Sequence, residues 1–187
     1  PHQQHYVPQI KEIMISGMPS ANEEEADDDM RQLYMSLVGA LAWLILTMPA
    51  ICVYVAFLQR HTQKPTVGHV KSANRLLKWV RNNSKKLGVR YRQLQEPIRL
   101  VTLSDSAFEA QDYEGLVMRG CVIFLAEAVP DGGDHKPWCS GSTVRLHLMD
   151  WYSRTHTRVV RSTYAAELLS LLDAVNQGDV IRIALIE

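Results

Sequence analysis

Apolar positions divide the chain into a first half with helical spacing and a second half of strand-like runs. Residues 37–58 are almost wholly apolar, and no residue between Arg31 and Arg60 is charged. A run of that length would cross a bilayer as one helix. Pro49 removes a helical hydrogen bond in mid-run and disfavours helix at Met48, while Gly39, Trp43 and Tyr54 lie inside the run rather than at its rims. Hydropathy therefore leaves two readings open, one spanning helix or two shorter helices buried in a core. Further on, Pro65-Thr66 predicts a helix start with Thr66 as N-cap, and Val70, Ala73, Leu77 and Val80 recur with helical period.

After the polar stretch Gln95-Glu96-Pro97 the pattern changes. Residues 98–103 form a first run of mainly branched apolar side chains, residues 115–125 a second, and residues 143–151 a third, which predicts three strands. Asp131-Gly132-Gly133-Asp134 is a turn signal. Residues 163–176 read as a helix with Ala165, Leu168, Leu169, Leu172 and Val175 on one apolar stripe and Gly178 ending it. The expected fold class is thus α/β, in the α+β sense. Helices occupy residues 1–95, and a sheet with a packed helix occupies residues 96–187.

The composition supports a buried core, with 47% hydrophobic residues in 187. The formal net charge is zero, so a nucleic-acid partner has to be sought in how the charge is distributed. Residues 23–29 read Glu-Glu-Glu-Ala-Asp-Asp-Asp, whereas the window from Arg60 to Arg92 holds ten of the 20 Lys and Arg and no acid. Within it Lys71, Arg75, Lys78 and, farther on, Lys85 fall on a different face from the apolar stripe. A cationic face without compensating acid is suited to neutralising phosphates; a solvated charged face is the other reading. Cys52, Cys121 and Cys139 stand at unrelated spacings with no signal peptide, which predicts an intracellular, reducing setting and not secretion. His135 and Cys139 share a loop but lack the second ligand pair a zinc site needs.

Several blocks resemble copia-type retrotransposon polyproteins, in that family's order. The opening residues 4–10 resemble the segment that follows the polymerase palm. Tyr34-Met35-Ser36-Leu37-Val38-Gly39-Ala40-Leu41 matches a family block followed by a helix break, here Thr47-Met48-Pro49-Ala50, which has lost the family's arginine and aspartate. Pro65, His69, Lys71, Arg75, Leu76 and Val80 follow the pattern that ends the reverse transcriptase region. Ser104-Asp105-Ser106 is similar to the end of the first RNase H strand, and residues 120–125 to a later strand. Trp151-Tyr152-Ser153-Arg154 matches a turn, and residues 162–167 the start of a helix. Residues 130–144 look like an insertion.

The resemblance implies a helical thumb or connection segment over residues 1–95, then the first half of an RNase H-like domain with a mixed sheet. It favours two soluble helices over a membrane span. Asp105 and Glu167 would be the catalytic, metal-binding carboxylates, because in-line hydrolysis of a phosphodiester is served by two Mg²⁺ ions about 4 Å apart, held by hard oxygen ligands. Lys71, Arg75, Lys78 and Lys85 would face an RNA–DNA hybrid or DNA duplex, and the rest of the polyprotein would be a further partner. The parent activities would be RNA-directed DNA synthesis and cleavage of RNA in hybrids. The polymerase Tyr-x-Asp-Asp is missing, and Ala26-Asp27-Asp28-Asp29 reads as a solvated linker. Two further aspartates of the nuclease site would lie beyond Glu187; Asp112, Asp173 and Asp179 are poor substitutes. Weak metal binding and little or no cleavage are expected of this stretch alone. The alternatives are a single-pass membrane protein with a basic juxtamembrane segment, or a host-adopted nucleic-acid-binding module.

Overall fold

A computed structural model describes residues 5–15, 21–107, 117–127, 144–156, 159–160 and 162–186. The chain divides into two compact units, Pro1–Val89 and Arg90–Glu187. The expected insertion with His135 and Cys139, and Asp112, fall outside the described residues.

The first unit is helical. Helix α1 spans Asp28–Leu44, α2 Cys52–Arg60 and α3 Val67–Asn83, with short 3₁₀ turns at Val7–Gln9 and Pro49–Ile51. The apolar run is broken as its proline predicts: α1 stops at Leu44, and Pro49 opens the 3₁₀ turn that leads into α2. Among the described residues no helix is long and apolar enough to cross a membrane. The acidic segment read as a linker instead starts α1. Asp27 caps it, its carboxylate accepting from Met30 N at 2.8 Å, and Asp28 and Asp29 sit in the first turn, where negative charge is favoured by the helix dipole.

Tyr34, Leu37, Val38, Leu41 and Leu44 recur along one face of α1 and meet Val55 and Leu58 of α2 and Val70, Ala73, Leu77 and Val80 of α3 in one core. Two polar ties hold this core together. The Tyr34 hydroxyl donates to Leu58 O at 2.8 Å. Asn74, only 5% exposed, pairs with the backbone of Ile13 as a strand would, accepting from its N–H at 3.0 Å and donating to its carbonyl at 2.8 Å.

Among its described residues the second unit has a three-stranded sheet covered by one helix. Strands β1 (Ile98–Ala107), β2 (Met118–Glu127) and β3 (Leu146–Thr155) lie in the order β1-β2-β3. Both pairings are antiparallel, so the described sheet is not mixed. Residues 151–154, expected as a turn, continue β3, because each pairs with β2 from Trp151↔Val122 to Arg154↔Arg119. Residues 91–95 form no strand but are tied to this sheet by side-chain hydrogen bonds: Tyr91 OH donates to Leu148 O at 2.7 Å and Gln95 N to Glu127 Oε1 at 2.9 Å.

Helix α4 spans Thr163–Ile186 and runs through Gly178 instead of ending there. Its buried stripe is Ala166, Ser170, Ala174 and Gly178, four small residues at four-residue spacing. Leu168, Leu172 and Val175, expected to be buried, are exposed. The helix is apolar nearly all round, so period alone could not choose the face. Close approach decided it: at Gly178 an added Cβ would stand 2.9 Å from Thr102 Oγ1. A larger residue at that turn would push α4 off the sheet.

Candidate functional site: a carboxylate pair at the end of the sheet

Alternation along β1 sorts its side chains onto two faces. Leu100 packs beneath α4 with Cys121 and Ala174, Thr102 faces Gly178, and Ser106 is buried. Leu103, Asp105 and Ala107 are exposed. Asp105 therefore lies within the strand, on the face away from α4. It pairs with Gly120 across the sheet, and its Oδ1 accepts from Ser106 N at 2.9 Å.

Glu167 is half-buried in the second turn of α4. The helix runs antiparallel to β1. Ser170 Oγ donates to Asp105 O at 3.0 Å, whereas Gly178, two turns on, meets Thr102 and Leu100. Eleven residues bring a helix back to within about 20° of the same direction, so Glu167 shares the flank of Gly178, the one turned to β1. Asp173 occupies the other flank and pairs with Arg119 of β2. The fold thus brings the turn that carries Glu167 to the strand end that carries Asp105, and commits Asp173 elsewhere. Asp179 also has a partner, Arg182 at 3.2 Å.

The helix-facing side of the sheet also carries polar groups around its apolar cluster. Asp150 accepts from Gln177 Nε2 at 2.7 Å, and the Arg154 guanidinium lies 4.1 Å from the Tyr152 ring centre. Cys121 and Tyr152 lie against each other, and burial raises the pKa of both. His156 is buried, and its pKa is lowered first by desolvation and then by Arg119. Nothing in the sequence around His156 signalled this environment.

Hard carboxylate oxygens are what Mg²⁺ takes, and it keeps several waters. Asp105 and Glu167 fit such an ion by donor type. Among the described residues no group of three or more His, Cys, Asp or Glu could hold a metal. The fit is one of donor type: the Asp105 side chain lies on the face of the sheet away from α4, the helix that carries Glu167.

Of the four basic residues, Arg75 and Lys78 are exposed on α3 one turn apart, and Lys85 is exposed just past its end. Lys71 donates to Asn22 Oδ1 at 2.8 Å. Compensation absent from the sequence window arrives from elsewhere in the unit: Arg81 pairs with Glu12 at 3.6 Å. Exposed basic side chains among the described residues thus include Arg75 and Lys78 on the C-terminal half of α3 and Lys85 beyond it. Comparison with protein families, curated proteins and solved structures gives no match.

Proposed function

We propose that the chain belongs to the reverse transcriptase–RNase H region of a copia-type retroelement polyprotein, with a helical unit that binds the nucleic-acid backbone and an RNase H-like unit that binds divalent metal. The observation that supports this reading is the packing of α4 antiparallel on β1, where Ser170, one turn after Glu167, donates to the Asp105 carbonyl. Mg²⁺ would be held by these two carboxylates and would supply Lewis-acid stabilisation of a phosphodiester. Arg75, Lys78 and Lys85 would contact phosphates, a sequence-independent attraction that weakens steeply with salt.

Mn²⁺ as a paramagnetic probe tests the site directly. Amide signals around Asp105 and Glu167 are expected to broaden together at millimolar metal, and Asp105→Asn to abolish both effects. Broadening confined to the acidic residues 23–29 would remove the pair from consideration. Salt-dependent binding of an RNA–DNA hybrid with no metal effect at either carboxylate would favour a nucleic-acid-binding module without nuclease chemistry.

A further inference from the structure

Between α2 and α3 lies an open groove of about 490 Å³ lined by Tyr54 and Phe57 from one helix and Ser72, Arg75, Leu76 and Trp79 from the other. Tyr54 is 60% exposed and Trp79 42%, an unusual outlay of aromatic surface for one small unit. The aromatic row continues beyond the groove, with Phe57 4.9 Å from the His61 ring and His61 stacked on His69 at 3.9 Å. Burial lowers the pKa of both imidazoles.

What sets the groove apart from an ordinary apolar cleft is the sign of the charge around it. Arg75 forms part of the wall, Lys78 stands one turn on, and no acid occurs from Arg60 to Arg92. A groove with aromatic walls and a cationic rim has the two components that hold single-stranded nucleic acid, π-faces for bases and positive charge for the backbone. An apolar peptide would use the aromatic walls and leave the cations unmatched.

We infer that this groove takes an unpaired base of a single strand whose phosphates run along Arg75 and Lys78. The inference rests on the reading of the basic face as a phosphate-binding surface, and it adds base stacking between Tyr54 and Trp79. Stacking of this kind is tolerant of sequence, because every base presents a π-face.

Fluorescence anisotropy with labelled oligothymidylate and with an abasic oligonucleotide of the same length separates the two contributions. Trp79→Ala is expected to weaken oligothymidylate binding roughly 5- to 150-fold and to leave abasic binding unchanged, and Tyr54→Ala on the opposite wall to do the same. Lys78→Ala should weaken both ligands equally. Circular dichroism checks that each variant is folded; both aromatic side chains are exposed enough for truncation to spare the core. If neither aromatic substitution affects oligothymidylate while Lys78→Ala does, the groove is not a base site and the basic face still stands. If the unaltered protein binds neither oligonucleotide, both readings fall. Trp79-dependent self-association in sedimentation, with oligothymidylate binding unaffected by Trp79→Ala, would assign the groove to a second copy and overturn the inference.

Discussion

Gly178→Ala probes whether α4 lies on the sheet as described. In an exposed helix interior this exchange stabilises by about 1 kcal/mol, because alanine loses less backbone entropy. Here the new Cβ would meet Thr102 Oγ1 at 2.9 Å and Leu100 Cδ2 at 3.9 Å. The threonine is β-branched with few rotamers to retreat into, and overpacking of this kind costs roughly 1–3 kcal/mol. The net expectation is a loss of about 0–2 kcal/mol, which alone would not be decisive, since a C-capping glycine would also lose stability on replacement. Thr102→Ala removes the obstructing oxygen. In that background Gly178→Ala should recover its helical gain, giving a coupling of about 1 kcal/mol or more against the ~0.3–0.5 kcal/mol scatter of independent sites. Urea unfolding of the four proteins, followed by the fluorescence of Trp138 and Trp151 with Trp43 and Trp79 replaced by Phe, measures it. Additive effects would refute the packing of α4 on β1, and with it the approach of Glu167 to the end of that strand.

Asn74→Ala leaves both the N–H and the carbonyl of Ile13 without their partners inside the first unit; at about 1–3 kcal/mol per unsatisfied group, urea unfolding should show a loss of roughly 2–6 kcal/mol, and a change within about 0.5 kcal/mol would contradict the pairing. The stacked His61 and His69 both have lowered folded pKa values, chiefly through burial, with His61 further repelled by His69 and Arg60. Stability from the neutral pair is therefore fully present above about pH 6.5 and is lost as pH falls through the lowered folded values. His69→Gln keeps an acceptor for Thr66 N, which now donates to His69 Nδ1 at 3.0 Å, and should flatten the fall in melting temperature toward about pH 5; an unchanged slope would mean that other groups set it.

Several features were legible because they depend on local chemistry. Pro49 cannot donate a hydrogen bond, so the apolar run had to break near it. The spacing of Val70, Ala73, Leu77 and Val80 places them on one face whatever they pack against, and all four enter the core. Strand positions were legible in the same way. Strand ends were not: β1 and β3 extend through Ala107 and Thr155 because β2 offers partners there. The role of the acidic residues at 27–29 was misjudged, since a cap is recognised only once the helix boundary is known. The basic window showed an excess of positive charge but not that Glu12 answers Arg81 from 69 residues away.

By itself the sequence determined which segments are helical or extended, where the chain turns from one kind to the other, and which acidic residues stand at the strand and helix of interest. Tertiary structure alone decided which face of α4 is buried. With leucines and valines on nearly every side, hydrophobicity favoured no direction, and the helix settled on the stripe of small residues that lets it approach the sheet most closely. That choice turns Glu167 toward β1 and Asp173 toward Arg119. Strand alternation then places Asp105 on the face away from the helix, so the two carboxylates can meet only around the edge of β1.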